Sequence, residues 1–392
     1  MTFEWMALLS LLLPLAALSG WWVARRSMKA AAAEGQQGMH PEYFKGLNFV
    51  LNEQPDKAIE VFIKMLEVDS ETVETHLALG NLFRRRGEVD RAIRIHQNLI
   101  ARPTLDREQR AIALLELGMD YMRSGLLDRA EGLFKELVET GSHSIQAFSE
   151  LLEIYQQEKD WDNAIGTARK LELTSGKSLN PVIAQFYCEQ ADNNFSQGDI
   201  KGSKDNIRRA LNIDPECVRA SMIEAEMAMD AGRIKQALKA YKRVEVQDPE
   251  YIPEVVLPLL ECYRSLDKLD EFMEYLRKII DKHGGITPLL MLTELIAEQQ
   301  DEGEAMKYIS AELRKRPTVK GVDRLIEYAL SRAEGEARES LSMIKDLTAK
   351  LLEKHAMYKC VRCGFDAKSL HWQCPGCKSW NSVKPVHGVE GE

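Results

Sequence analysis

Residues 76–100 read HLALGNLFRRRGEVDRAIRIHQNLI, and the spacing of Gly80, Phe83, Gly87, Asp90 and Ala92 within them recurs along the chain. Small residues that open a second helix fall at Ala58, Ala92, Ala130, Ala164, Ser203 and Ala237. The steps between them are 34, 38, 34, 39 and 34 residues. Three steps share a 34-residue period and the two longer ones fit insertions in loops, RPTLDREQR being one; such a period is the signature of stacked helix–turn–helix units, each burying its apolar face against the next.

Other positions fall into the same frame. Twelve residues before five of the six alignment points stand Gly46, Gly80, Gly118, Ala191 and Ala225, and four after three of them stand Phe62, Phe134 and Tyr241. Nine before such a point stand Phe49, Phe83, Tyr121 and Tyr155, and five before it Gly87, Gly125, Gly198 and Gly232. Two antiparallel helices approach closely only where small residues face each other, and aromatics then fill the space between successive pairs. Glycine relieves the tight turn. Asp56, Asp90, Asp128 and Asp162 stand where a carboxylate can cap or complement the positive end of the second helix. Pro215 and Pro249 end their repeats. After residue 250 the pattern weakens, although Tyr275 and the Ala305/Pro317 pair still fit, and 319–354 reads as a final pair with Gly335 between its helices. The expected fold is all-α: a tetratricopeptide-repeat superhelical solenoid of eight or nine helix pairs over 42–354. The repeat positions themselves are core, and partner contacts fall on exposed positions. A run of Asn and Lys suited to clamping a peptide carboxylate is lacking.

Ahead of the repeats, Trp5 to Ala24 reads WMALLSLLLPLAALSGWWVA without a charge. As a helix it would span about 30 Å, the thickness of a bilayer core. Trp5 stands at one end and Trp21 and Trp22 at the other, and a membrane helix tolerates Pro14. Ala17-Leu18-Ser19 resembles a cleavage site, but a signal peptide carries its positive charge before the apolar run. Here Arg25, Arg26 and Lys29 follow it. The expected arrangement is an uncleaved anchor over 1–24, with the N-terminus outside and the bulk of the chain on the cytoplasmic face. A linker covers 25–41.

Behind the repeats, Cys360-Val-Arg-Cys363-Gly364-Phe365 is followed by Cys374-Pro375-Gly376-Cys377. Each Cys-x-x-Cys can fold as a knuckle that points two sulfurs at one ion. Gly364 and Gly376 permit the left-handed turns this requires, and Pro375 fixes the start of the second turn. Four thiolates make a closed tetrahedral site suited to zinc or a single iron. Ten residues separate the halves, enough for a tight hairpin. The segment 355–385 is too short to fold on a core of its own, so the metal supplies its folding energy. Tyr358, Phe365, Trp372 and Trp380 are expected to wrap the site, with His355 and His371 as bystanders. A closed site offers no open position to substrate, so its role is structural, regulatory or electron-carrying. Residues 386–392 form a tail.

The remaining cysteines, Cys188, Cys217 and Cys262, are single residues in helical stretches and read as core. Seven cysteines without a framework argue against an oxidising compartment. The net charge of −9, with basic and acidic residues interspersed, points away from a nucleic-acid partner. No phosphate-binding glycine loop, nucleophile elbow or histidine-rich metal motif is present, so the chain does not read as an enzyme.

The halves CVRCGF and CPGC resemble rubredoxin-type knuckles. The order of anchor, repeats and rubredoxin-like tail resembles the lipopolysaccharide assembly protein B family of Gram-negative bacteria. That resemblance implies an inner-membrane protein facing the cytoplasm. It would act as an adaptor that promotes destruction of the LpxC deacetylase by the membrane protease FtsH and gathers other lipopolysaccharide enzymes. It also implies iron held by Cys360, Cys363, Cys374 and Cys377, with zinc as the alternative metal, and docking of the metal module on the repeats. A homo-oligomer is compatible with it. The competing reading is a rubredoxin-like electron-transfer or redox-sensing protein with the repeats as its dock.

Overall fold

The computed structural model describes residues 41–68, 72–389 and 391. The expected membrane segment, residues 5–24, lies outside them. Among the described residues no helix is long and apolar enough to cross a membrane. The chain divides into two compact units at Ile154/Tyr155.

The first unit carries α1 (Pro41–Leu51), α2 (Pro55–Val68), α3 (Val73–Arg86), α4 (Val89–Ile100), α5 (Arg107–Ser124), α6 (Leu127–Thr140) and most of α7 (Ser144–Glu158). Its helices pack in the pairs α1/α2, α3/α4 and α5/α6. The expected close approach is there. A Cβ added to Gly118 would lie 2.5 Å from the Phe134 ring, and one on Gly46 2.6 Å from that of Phe62. Both rings are fully buried. In the first three repeats the aromatic nine positions before the alignment point lies beneath the cation that precedes that point. Lys57 sits over Phe49, Arg91 over Phe83 and Arg129 over Tyr121, at 5.8, 5.3 and 5.7 Å. Such contacts add order 0.5–1 kcal/mol each at exposed sites.

The turn inside each pair needs one left-handed residue. Gly87 and Gly125 supply it at φ +87° and +77°, closing their helices with paired bonds such as Glu88 N–H to Phe83 O at 2.9 Å. Glu53 and Lys159 occupy the same place without being glycine, at φ +55° and +57°. The four aspartates lie inside the first turns of their helices rather than at the caps. They complement the helix dipole. They also reach the following pair: Asp56 binds Arg86 at 2.5 Å, and Asp162 accepts from Gln190 at 2.9 Å. Side-chain caps on α8 (Trp161–Ser175) and α10 (Ile200–Ile213) come from Asp160 and Asp199 instead.

The second unit continues with α8, α9 (Asn180–Ser196), α10, α11 (Val218–Asp230), α12 (Ile234–Gln247), a short 3-10 turn (Pro249–Tyr251), α13 (Ile252–Ser265), α14 (Leu269–Lys282), α15 (Ile286–Gln299), α16 (Glu302–Lys315), α17 (Val319–Leu330) and α18 (Gly335–Lys354). The array continues regularly past residue 250, where the sequence pattern fades. Phe272, Leu276, Leu292 and Ala305 are fully buried there. A cluster of Tyr263, Phe272 and Tyr275, with buried leucines, takes the place of the glycine–aromatic pairs. The chain ends in a three-stranded antiparallel sheet of order β2–β1–β3: β1 (Tyr358–Cys360), β2 (Asp366–Ala367) and β3 (Val383–Pro385).

Candidate metal centre

Strand β1 pairs with β2 through Tyr358↔Ala367 and with β3 through Cys360↔Val383. The first knuckle grows from the end of β1. The Cys360 N–H donates to Phe365 O at 2.8 Å and the Gly364 N–H to Cys360 O at 2.9 Å. Gly364 takes the left-handed conformation at φ +77°. The second knuckle repeats this bonding: the Cys374 N–H donates to Ser379 O and the Lys378 N–H to Cys374 O, both at 2.9 Å. Its left-handed residue is Lys378, at φ +57°, and not Gly376 as the sequence suggested. Gly376 instead lies where a Cβ would come to 3.6 Å from the Cys363 sulfur.

All four expected ligands converge. The sulfurs of Cys360, Cys363, Cys374 and Cys377 lie within 4.8 Å of one another, with Cys360–Cys377 at 3.7 Å and Cys363–Cys374 at 3.6 Å. An ion about 2.3 Å from each of four tetrahedral sulfurs would set them about 3.8 Å apart, so the cage fits a metal. A disulfide, at about 2.05 Å, does not fit. The four cysteines form a rubredoxin-like metal site. Cys360 and Cys374 are buried and Cys363 is exposed. The Ser382 hydroxyl and the N–H groups of Cys363 and Arg362 pull the Cys360 thiol down to about 6. The Phe365 N–H favours the Cys363 thiolate, but desolvation and the other three sulfurs outweigh it and push that thiol up to about 12. A bound cation would relieve this repulsion. His371 lies against Ser369, away from the sulfurs.

The aromatic residues do something other than wrap the metal. Trp372 stacks on Tyr251 at 5.4 Å, with Arg219 over its ring at 5.9 Å. Trp380 meets Phe186 and Trp161 edge-on at 5.8 and 6.2 Å, and its N–H donates to Gln156 Oε1 at 2.7 Å. Tyr358 donates to Glu254 at 2.6 Å. These rings bolt the module to Gln156 at the end of α7, to α8, α9 and α11, to the Pro249–Tyr251 turn and to α13. Phe365 alone of the four stays near the knuckles, beside Gly376.

Polar contacts complete the dock. Lys384 bonds Asp248 and reaches Glu250 at 3.2 Å, and its ammonium lies 4.3 Å over the Tyr251 ring. The Tyr251 hydroxyl donates to Asn381 Oδ1 at 2.7 Å. Burial, with Asp248, Glu250 and Glu254 nearby, holds that phenol above its usual range, so it stays a donor. Arg219, almost fully buried, is held by Glu189 at 2.8 Å and Asp192 at 2.6 Å beneath Trp372. Sequence reasoning missed Lys384, Tyr251, Asn381 and Arg219. The residues they meet across the dock lie more than a hundred positions away in sequence, beyond any local pattern.

The three remaining cysteines are buried, as expected. Cys188 and Cys217 face each other across α9 and α11 at 3.7 Å, and burial pushes the Cys188 thiol up.

Comparison with known proteins agrees with both parts. A family model described as a rubredoxin metal binding domain matches residues 358–385. Tetratricopeptide-repeat models match 75–111 and 188–252. Lipopolysaccharide assembly protein B of Escherichia coli strain K12 is 38% identical over 98% of this chain and 99% of its own length. The protein of the same name from Haemophilus influenzae is 37% identical over 98% and 99%. The chain belongs to the lipopolysaccharide assembly protein B family.

Proposed function

We propose that this chain is a non-catalytic adaptor in lipopolysaccharide assembly, tethered to the bacterial inner membrane by residues 5–24 with its bulk on the cytoplasmic side. In this reading it brings the LpxC deacetylase to the membrane protease FtsH, and gathers other lipopolysaccharide enzymes. Tethering raises effective concentration without new chemistry. The observation that carries the reading is the dock itself. A site closed by four thiolates has no position for substrate, and the ring and lysine contacts hold the module rigidly on the repeats. The metal then acts as a staple that shapes one composite surface. Iron is the proposed ion, with zinc as the alternative.

Affinity capture from solubilised membranes tests this. The wild type should co-purify a membrane protease and a lipopolysaccharide enzyme, and Cys360→Ser plus Cys363→Ser should recover less of both. Equal recovery would remove the module from partner binding. A second reading, electron transfer, draws on the exposure of Cys363. It requires a coloured, reducible iron centre in the purified protein, and a colourless zinc protein excludes it.

A further inference from the structure

Between α10, α11 and α12 lies a groove of about 370 Å³, on the repeats rather than at the metal module. Lys204, Arg208, Arg233 and Arg243 line it, against one carboxylate, Glu224. Glu224 is already held by Arg243. Among the described residues Arg208 pairs only with an exposed Asp205, at 3.4 Å. Among the described residues Arg233 has no ion-pair partner, and its buried Nε makes no hydrogen bond. That nitrogen is closed to solvent, so what a ligand would meet is the unpaired charge of the guanidinium, which favours a carboxylate. The local excess of positive charge stands out in a chain of net charge −9. The floor is apolar, made by the buried Ile207, Met227 and Ala228.

We propose that this groove binds an acidic peptide segment in which carboxylates flank an apolar side chain. Arginine suits carboxylates because its planar fork gives paired, charge-assisted bonds. Arg233 and Arg208 take the carboxylates, and Lys204 adds charge. The apolar side chain covers the Ile207–Met227 floor. Gln236 and Asn212 border the groove, and carboxamides can serve a peptide's own N–H and C=O groups. A lone phosphate would leave the floor and the amides unused, which is why a peptide is favoured over a headgroup. The inference deepens the adaptor reading by giving one partner its chemistry, and rests on that reading only in requiring a partner.

The test uses the full chain in detergent micelles and a phage-displayed library of random dodecapeptides. Enriched sequences should pair Asp or Glu with Leu, Ile or Phe. Labelled versions should bind about tenfold more weakly to Arg208→Glu/Arg233→Glu, and weaken by a similar factor between about 0.05 and 0.5 M salt. The Arg208→Gln/Arg233→Gln variant serves if charge reversal perturbs the helical melting curve. Enrichment without acidic bias, or equal binding to wild type and variant, overturns the proposal. So does displacement of the peptides by phosphatidylglycerol vesicles or millimolar phosphate at equal potency, which would assign the groove to a phosphate group. Binding as described in a protein with no effect on lipopolysaccharide would sink the adaptor reading and leave the groove intact.

Discussion

Lys384→Met should loosen the metal module from the repeats without touching the metal. The Lys384 side chain is 14% exposed and its partner Asp248 24%. Breaking a fully buried pair costs about 3–5 kcal/mol, and an exposed one under about 1 kcal/mol. This pair lies between those limits. Glu250, half exposed, adds little. Methionine keeps most of the stem's packing over Tyr251, so the loss is chiefly the charge. About 2 kcal/mol is the resulting estimate for the docked state, or about a thirtyfold rise in the open fraction. Hydrogen exchange on the metal-loaded protein reads this directly. Peptides covering 358–385 and the Pro249–Tyr251 turn should exchange about thirtyfold faster, while those from α14 and α15 should not change. Asp248→Asn completes a double-mutant cycle, because asparagine can still accept the Glu250 N–H that Asp248 binds at 3.1 Å. The coupling should be about 1–2 kcal/mol. Unchanged exchange in Lys384→Met, or strictly additive effects, would refute the claim that this contact holds the dock.

Three further outcomes are expected. Removing the metal with a chelator should unfold residues 358–385 while helical circular dichroism from the repeats persists, since structural-metal binding is worth about 10–16 kcal/mol in small sites and is folding energy there; a module that keeps its exchange protection without metal would contradict the staple. Gly118→Ala pushes a methyl to 2.5 Å from Phe134, and should cost about 2 kcal/mol in urea denaturation of the first unit, partly restored by Phe134→Leu; no loss would mean the helices can separate freely. Lys159→Gly relieves a left-handed turn residue at φ +57°, and should stabilise the second unit by about 1 kcal/mol in urea denaturation; a loss of stability would mean that the turn carries no strain.

The repeat was legible because its determinants recur at fixed spacing. Gly118 and Phe134 meet across one helix pair, and both ends of the contact lie within one period. Where a different residue takes over the position, the pattern goes silent. His96 occupies the aromatic's place beside Gly80, fully buried and bonded to Asp120 at 2.6 Å, which Arg84 also grips at 2.8 Å. That network joins three helices, and no single window of sequence contains it. Lys159 and Lys378 take left-handed turns that glycine would have announced. The four cysteines were legible because metal-ligand spacing is local to each knuckle. The roles of Trp372 and Trp380 were not, because an aromatic near a metal site reads the same whether it covers the metal or reaches for Tyr251 and Phe186.

The central claim is that a metal-stapled module, docked on the repeats, holds a partner at the membrane for destruction. The most direct measurement is the lifetime of the LpxC deacetylase in cells lacking the native protein and supplied with either the wild type or Cys360→Ser/Cys363→Ser at equal abundance. The account predicts a short lifetime with the wild type and a several-fold longer one with the variant. Equal lifetimes in the two strains, or no change when the chain is absent altogether, would contradict it.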